Sequence, residues 1–192
     1  MKYFVLLGHQ NPGSFNHAIT SCILKTLQKL EHNAFYHDLY AENFDPVVPH
    51  AEIADESRLP ESVRKQMQEL KESDGIIIVH PNWWGTPPAI LKGWVDRVLR
   101  NGFAYKFGPN GPEQYFTEKD IQIFSTSNTP RDVELNVYGD PLENFWKVVV
   151  FGLCGCRTFE RRNFESVIMS SHEDRVAWLD EVRQTIERRF SK

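Results

Sequence analysis

Residues 73–100 read SDGIIIVHPNWWGTPPAILKGWVDRVLR, an apolar run followed by an amphipathic run. Residues 76–79 are consecutive aliphatic side chains, mostly β-branched, which predicts a strand buried on both faces, as in a parallel sheet covered by helices. Pro81 lacks an N–H and is expected to end the ladder, while Pro87 and Pro88 are expected at the first helical positions. The stretch therefore predicts a central strand that passes through a short turn into a helix.

The turn between that strand and helix contains two adjacent tryptophans, Trp83 and Trp84, flanked by Asn82 and Gly85. In open α/β sheets, ligands bind at the carboxyl ends of the strands, where this turn would lie. A single tryptophan in such a place is as often a buried core residue as a ligand contact. Two neighbouring rings in a polar turn favour a binding site, and we take Pro81 and these four residues as candidates.

Composition limits the classes of function. The chain has 192 residues, which fits one domain over residues 1–192. Its net charge of −4 gives no broad basic surface, so we expect no nucleic acid or anionic membrane as a partner, and a small-molecule substrate instead. We see no transmembrane or signal segment and expect a cytoplasmic protein without membrane insertion. Three cysteines and scattered histidines predict reduced thiols and no metal site.

Near the start of the chain, an apolar run at residues 3–7 ends at Gly8 and predicts a first strand. A polar loop follows, and apolar residues then recur at three- and four-residue steps from Phe15, with Ser14 as the expected N-cap. A loop that leads into a helix N-terminus favours phosphate binding. Ser14 stands where a P-loop has lysine, and the GxGxxG pattern is absent, so NTP hydrolysis and a dehydrogenase-type NAD site are disfavoured. His9 alone fits either a ligand contact or a loop histidine bonded to its own backbone.

The rest of the chain alternates predicted strands and helices. Together these elements predict an α/β fold with a doubly wound, five-stranded parallel sheet of order 2-1-3-4-5 and helices on both faces. The last helix is expected to turn Val176 and the apolar residues after it inward. Ser125, Thr126, Ser127 and Asn128 follow the fourth strand and would share an edge with the first and third loops, although an ordinary polar loop is the alternative. The predicted segments are strands at 34–39, 121–124 and 158–164, helices at 61–71, 144–151 (ended by Gly152) and 170–190, an irregular excursion at 47–60 and a turn at 108–112.

The run PNWWGTPPAILKGWVDRV (residues 81–98) resembles a segment of the NAD(P)H:quinone oxidoreductases of the flavodoxin-like fold. That segment reads Pro-x-x-Trp-aromatic and then Pro-Ala-x-Leu-Lys-Gly-Trp-x-Asp-Arg-Val. Asp-Leu-Tyr at 38–40 and Phe-Ala-Tyr at 103–105 extend the resemblance over nearly the whole chain. The group includes bacterial modulators of drug activity and ancillary subunits of glutathione-gated potassium efflux systems.

The resemblance implies a flavin, FMN or alternatively FAD, with NAD(P)H as co-substrate. The implied reaction is two-electron reduction of a quinone-like acceptor in a ping-pong cycle. It implies phosphate contacts from His9, Ser14, Phe15 and Asn16, and flavin contacts from residues 81–85 and 125–128, with backbone N–H groups of the tryptophan turn stabilising the reduced ring. Arg175 would correspond to an arginine near the dinucleotide end. We favour FMN, because the short region at residues 47–60 and the altered loop after the fourth strand remove part of what mammalian relatives use around adenine. The resemblance also implies a homodimer. The apolar side chains expected to be available for its interface are Leu91, Trp94, Val95, Trp146 and Val150.

The chain departs from its mammalian relatives after the fourth strand. Those enzymes carry Thr-Thr-Gly-Gly and then a tyrosine and a histidine that relay charge, whereas residues 126–129 contain no glycine. Aligning on Gly139 and Asp140 places Tyr138 at the histidine position and Asp132 at the tyrosine position. Tyr138 is the candidate catalytic residue, with simple packing as the alternative. Two other functions remain open: a flavin-binding regulatory subunit of a potassium efflux antiporter, and a one-electron flavodoxin, although flavodoxins are usually more acidic.

Overall fold

The structure is a computed structural model that describes residues 1–190. Strands and helices alternate along the chain, as the hydrophobic pattern predicted. The strands are β1 (Lys2–Leu7), β2 (Asn33–Asp38), β3 (Gly75–Pro81), β4 (Tyr105–Gly108), β5 (Gly111–Gln114), β6 (Asp120–Thr126) and β7 (Thr158–Phe164). The helices are α1 (Phe15–Lys29), α2 (His50–Ala54), α3 (Glu61–Glu72), α4 (Ala89–Val98), α5 (Arg131–Asn136), α6 (Pro141–Glu143), α7 (Phe151–Cys154) and α8 (His172–Phe190).

Five strands form one parallel sheet in the order β2-β1-β3-β6-β7. If only the strands of this sheet are numbered along the chain, their order is 2-1-3-4-5. The predicted strand order is therefore confirmed. The remaining strands, β4 and β5, form a separate antiparallel hairpin. The sequence indicated only the turn of this hairpin, because its four-residue strands are largely exposed and carry little alternation of apolar and polar residues.

Two apolar cores lie on opposite sides of the sheet. Successive side chains of a strand point to opposite faces. Accordingly, Phe4 and Leu6 of β1 join one buried cluster with residues of α3 and α4. Tyr3, Val5 and Leu7 join a second buried cluster with residues of α1 and α8. The sheet is therefore fixed from both sides, and the loops at its carboxyl edge are held by a rigid base.

The central strand β3 is buried along its whole length and ends at Pro81, as expected. The following helix differs in detail from the prediction. Pro88 is the N-cap of α4, which begins at Ala89, so neither Pro87 nor Pro88 lies inside the helix. The Pro88 carbonyl accepts hydrogen bonds from the N–H groups of Leu91 and Lys92 at 2.9 Å each. Proline can cap in this way because its carbonyl remains available even though its N–H is absent.

The helix predicted at 144–151 is part of a longer helical run, and its predicted end was wrong. α6 continues into a π-helical segment, Asn144–Val150, and then into α7. Gly152 lies within this run, which ends instead at Gly155 with φ of +77°. Glycine adopts that left-handed conformation without steric cost, which makes Gly155 the better terminator.

Three further expectations are corrected. Residues 47–60 are not wholly irregular, since they contain α2 and a 3₁₀ turn at Glu56–Arg58. Glu52 anchors this region by accepting a 3.2 Å hydrogen bond from Nε of the buried Arg97.

Val176 is 53% exposed, so α8 turns inward only from its middle onward. Leu91, Trp94, Trp146 and Val150 are buried within the chain and offer no free surface to a partner.

Within residues 1–190, no helix combines the length and the apolar character needed to cross a membrane.

Candidate active site

The carboxyl ends of β1, β3 and β6 open onto a single cavity of about 690 Å³. Its volume lies in the usual range for small-molecule sites, and its position matches the ligand edge of open α/β sheets. Most of the candidate residues come together here, together with four that the sequence did not indicate. The lining residues are His9, Phe15, Asn16, Pro81, Asn82, Trp83, Trp84, Gly85, Thr126, Ser127, Asn128, Thr129, Glu134, Tyr138, Pro141 and Val167.

The loop between β1 and α1 is ordered by Asn11. Its side-chain oxygen accepts the Gly13 N–H and its carbonyl accepts the Ser14 N–H, both at 3.0 Å. Its own N–H donates to His9 Nδ1 at 3.0 Å. Burial, and then the nearby charge of His17, lowers the pKa of His9. Ser14 is the N-cap of α1, as predicted, and lies beside the cavity rather than in its lining.

Asn16 connects the first and fourth loops of the site. It is 3% exposed, and its Nδ2 donates to Thr126 Oγ1 at 2.9 Å. Its Oδ1 is buried without a hydrogen-bond partner among the described residues. An unpaired buried amide oxygen is costly, which is consistent with a position that awaits a ligand donor.

The tryptophan turn is closed by its own backbone. Trp83 N–H donates to Thr86 O at 3.0 Å, and Thr86 N–H donates back at 3.1 Å. Trp83 is 42% exposed and Trp84 is fully exposed with φ of +56°, so neither ring fills the core. Because the Trp83 N–H is already used, Trp84 is the one tryptophan of this turn whose N–H lacks an acceptor in the described part of the chain. Gly85 has φ of +73°, and a Cβ there would lie 2.6 Å from Pro141, so only glycine fits.

Glu134 on α5 supports this turn from below. Its Oε1 accepts Asn82 Nδ2 at 2.8 Å, and Asn82 Oδ1 in turn accepts the Gly85 N–H at 2.9 Å. Glu134 is 2% exposed and its Oε2 has no partner among residues 1–190. The sequence did not reveal Glu134, because α5 itself was missed. The available signal was Pro130, which is the N-cap of α5 and belongs to a residue type common at the start of helices.

The ladder of β6 extends two residues further than predicted. Ser125 and Thr126 pair with β3 and therefore belong to the strand. Ser125 is fully buried and donates to Asn163 Oδ1 at 2.8 Å, so its side chain lies away from the cavity. Thr126, Ser127 and Asn128 line it.

Tyr138 lies at the mouth of the cavity and is 59% exposed. Its N–H donates to Val133 O at 3.0 Å, which fixes the backbone just after α5. Asp132 is exposed and does not line the cavity. Arg175 also lies outside the lining and donates to Ser170 O at 2.9 Å. Of Tyr138 and Asp132, the two residues that align with the charge relay of the mammalian relatives, only Tyr138 lines the cavity.

His80 lies one residue before the end of β3 and is completely buried. Its Nδ1 is 2.8 Å from Pro81 O, and its Nε2 accepts the indole N–H of Trp146 at 2.9 Å. Burial lowers the pKa of His80 to about 4, so the ring is neutral at physiological pH. It acts as a neutral link between the site strand and the π-helical segment.

Comparison with known proteins places this geometry in a family. A family model described as flavodoxin-like fold matches residues 1–189. An NAD(P)H oxidoreductase of Haemophilus influenzae, named as uncharacterized, is 32% identical over 94% of this chain and 91% of its own length. The chain belongs to the NAD(P)H:quinone oxidoreductase family of the flavodoxin-like fold. This confirms the predicted family and the prediction that the protein is an oxidoreductase.

Other members and structures agree with the assignment. Rat NAD(P)H dehydrogenase [quinone] 1 is 27% identical over 97% of this chain and 76% of its own length. The crystal structure of Smu.1420 from Streptococcus mutans UA159 superimposes with a TM-score of 0.84 at 31% identity, covering 98% of this chain and 100% of the other. The NAD(P)H:quinone oxidoreductase of Methanothermobacter marburgensis has the same TM-score at 21% identity, covering 96% and 94%, and shares the fold.

Proposed function

We propose that this family member is an NAD(P)H-dependent flavoenzyme that reduces quinone-like acceptors by two electrons. The observation that carries the proposal is the cavity of about 690 Å³, built from three strand-end loops and rimmed by two exposed tryptophans. Because the three loops surround one cavity, we propose a ping-pong cycle, in which NAD(P)H and the acceptor occupy the same space in turn. The names of the Haemophilus and rat relatives support the same reaction class.

The residues present fit a flavin. The cavity combines flat aromatic surface with polar atoms that are buried or unpaired, namely Asn16 Oδ1 and the Trp84 N–H. A planar heterocycle with a hydroxylated chain offers the matching donors and acceptors. His9, Phe15, Asn16 and the neighbouring Ser14 would hold the phosphate end, and residues 81–85 with 126–128 would hold the ring end. A bound flavin would supply the hydride transfer itself.

We further propose FMN rather than FAD, and the support is narrower than that in the sequence. Residues 47–60 contribute nothing to the lining within the described part of the chain, so their length has no direct bearing on the cavity. The support that remains is the altered fourth loop, because Thr126, Ser127, Asn128 and Thr129 line the cavity. The N-terminus of α1 would hold the phosphate of either flavin.

At the cavity mouth, Tyr138 can donate its phenolic hydrogen to an acceptor oxygen on which negative charge develops. A phenolic O–H group is a hydrogen-bond donor. The Trp84 N–H, which has no acceptor in the described part of the chain, can stabilise negative charge that develops at the ring end of the cavity. These two groups would assist the transfer without entering a covalent step.

A homodimer is also proposed, on a surface that includes only Val95 and Val150 of the five residues first expected there. An open apolar groove of about 550 Å³ lies between α2, α4 and the π-helical segment, with Ile53, Val95, Leu99, Val149 and Leu153 in its walls. Ile53 and Val149 are more than half exposed. Glu56, Asp96 and Arg100 also line the groove. Exposed apolar side chains within a charged rim favour burial against a second copy. A cytoplasmic location stays a prediction.

The test is the visible spectrum of the purified protein, followed by chromatography of the released flavin. We expect a yellow protein with about one FMN per chain and NAD(P)H-dependent quinone reduction. A colourless protein that neither FMN nor FAD restores would overturn the proposal. Bound FAD would reject only the choice of FMN.

A further inference from the structure

A chain of hydrogen bonds beside the cavity joins Ser14, His17 and Asp38. Ser14 Oγ lies 2.9 Å from His17 Nδ1, and His17 Nε2 lies 3.1 Å from Asp38 Oδ2. The side chains of His17 and Asp38 are 17% and 15% exposed, so water screens their interaction only weakly. Neither residue belongs to the set that the resemblance implied.

Asp38 determines which hydrogen His17 carries. Its Oδ1 accepts the N–H groups of Tyr40 and Ala41 at 3.1 Å each, which leaves Oδ2 for His17. A carboxylate only accepts hydrogen bonds, so His17 must present Nε2–H to it. The other ring nitrogen, Nδ1, then faces the Ser14 hydroxyl.

The protonation state of His17 decides whether Ser14 has a hydrogen to offer a ligand. The Ser14 hydroxyl has one hydrogen and two lone pairs, and one lone pair already accepts the His17 backbone N–H at 3.3 Å. If His17 is neutral, its Nδ1 accepts the only hydrogen of Ser14, and nothing remains for a ligand. If His17 is protonated, Nδ1–H donates to the second lone pair, and the hydroxyl hydrogen is free to bind an anion.

The surroundings of Ser14 indicate a ligand at this place. Ser14 caps α1, a helix of 15 residues, and the N–H groups of Phe15 and Asn16 have no acceptor within residues 1–190. Independently, the buried Asn16 leaves Oδ1 unpaired while its Nδ2 bonds Thr126. Reversing this amide would leave Nδ2 unpaired instead, because the Thr126 hydroxyl can donate or accept. Either orientation leaves a polar atom for a bound molecule.

His9 is the other titratable group that faces His17, across a ring-centroid distance of 6.1 Å. Its Nδ1 is occupied as an acceptor by the Asn11 N–H. Burial and the charge of His17 lower the pKa of His9, whereas His17 has the carboxylate of Asp38 as a partner. The contact with Asp38 therefore favours a positive charge on the His17 ring over one on the His9 ring.

We propose that His17 is a positioning residue of a phosphate-monoester site at the N-terminus of α1, and that the phosphate binds together with one proton taken up by His17 from solution. The proton turns the Ser14 hydroxyl toward the phosphate and places a positive charge beside the dianion. This inference rests on the proposed function, since it takes FMN as the ligand. It predicts that a flavin without phosphate binds without proton uptake.

Calorimetry of FMN binding to the apoprotein at pH 8, in two buffers of different ionisation enthalpy, measures the proton uptake directly. At this pH the FMN phosphate is already a dianion, because its second ionisation lies near pH 6, so the ligand contributes almost no proton. We expect wild type and the exposed control His50→Gln to take up a substantial fraction of one proton per FMN. His17→Gln should take up almost none and bind FMN at least about 10-fold more weakly. Riboflavin should bind wild type and His17→Gln alike, without uptake.

Proton NMR of the His17 ring in the unmodified protein provides a second readout that needs no variant to fold, because the signal can be assigned by through-bond experiments on isotope-labelled wild-type protein. The midpoint of the His17 titration should move to higher pH with FMN and remain unchanged with riboflavin. An unchanged midpoint with FMN, or equal proton uptake in wild type and His17→Gln, would overturn the inference while leaving the proposed function intact. Failure of both flavins to bind would overturn the proposed function and this site with it.

Discussion

Among single residues, Tyr138 and Glu134 affect the site by different routes, one by facing the cavity and the other by holding the tryptophan turn. Tyr138 was predicted by aligning the chain with its relatives on Gly139 and Asp140. It lines the cavity, and its catalytic role stays a prediction. Glu134 was not, because a six-residue helix with one buried side chain has too little periodicity to be recognised. Ser125 shows the opposite error, since its polar side chain suggested a loop although the ladder with β3 continues through it.

Tyr138→Phe keeps the ring and removes only the hydroxyl. If that hydroxyl donates to the acceptor oxygen, the quinone half-reaction should slow by roughly 10- to 1000-fold while flavin affinity stays the same. Stopped-flow measurement of each half-reaction separates the two effects. Tyr115→Phe is the matched control, because Tyr115 is 41% exposed and lies outside the cavity. Wild-type rates in both half-reactions would remove Tyr138 from the mechanism.

Glu134→Ala leaves Asn82 Nδ2 without its acceptor and releases the turn that carries Gly85. We expect flavin affinity to fall by about 10-fold, which corresponds to the loss of one or two hydrogen bonds. Glu134→Gln keeps an acceptor oxygen at the same distance and should stay within about threefold of wild type. Fluorescence titration with FMN measures both. Equal FMN affinity of the alanine variant and wild type would show that the tryptophan turn keeps its conformation without Glu134.

Among the elements, the junction between β3 and the π-helical segment shows a limit of hydrophobic periodicity as a predictor. The strand was clear from its aliphatic run. The path of the helix at 141–154 depends on a long-range contact, because the indole N–H of Trp146 donates to His80 Nε2 at 2.9 Å. No local sequence pattern predicts that contact. π-helical segments are rare and form where side-chain packing stabilises them against the α-helical path, so periodicity placed the helix but missed its form and its end.

The neutral His80 makes stability depend on pH. Burial lowers its pKa in the folded protein to about 4, against about 6.5 when unfolded. Between these values the unfolded chain binds a proton that the folded chain does not, so stability is full above pH 6.5 and declines as pH falls toward 4. Between pH 7 and pH 5 this residue should account for a loss of about 2 kcal/mol.

Urea unfolding at pH 7 and pH 5 checks this expectation. His80→Gln should lose about 2 kcal/mol less than wild type between the two pH values, although it is less stable at pH 7. His50→Gln, at an exposed position, should follow wild type. An equal pH dependence in all three proteins would mean that His80 becomes protonated without cost in the folded state.

For the whole molecule, the alternation of strands and helices was sufficient to predict the sheet and its order, because parallel strands need crossover connections that limit the possible arrangements. The surface was harder to predict. Trp146 and Val150 looked available for a partner because both lie on an apolar stripe, yet both are buried, while Val148 and Val149 are exposed. A shift of one residue around the helix exchanges a buried position for an exposed one. The π-helical segment, which has more residues per turn than an α-helix, produces such a shift.

Val149→Asp tests the proposed dimer. Burying a carboxylate in an apolar interface is costly, and a twofold axis applies the cost twice, so the dissociation constant should rise at least about 100-fold. Val176→Asp is the control, since Val176 is 53% exposed on α8, away from the groove. Light scattering at micromolar concentration should give a dimer for wild type and Val176→Asp, and a monomer for Val149→Asp. A monomeric wild type with full activity would contradict the proposal.

The full exposure of Trp84 also gives the molecule an internal optical reporter. Trp94 and Trp146 are sealed in the core, so their emission should be blue-shifted and insensitive to quenchers such as iodide. Trp84 projects into water at the cavity rim, and its emission should be red-shifted and readily quenched. A molecule that stacks against the rim would shield Trp84, and with it the partly exposed Trp83, from iodide. Occupancy of the cavity by a colourless inhibitor could therefore be followed by the change in quenching, without any label.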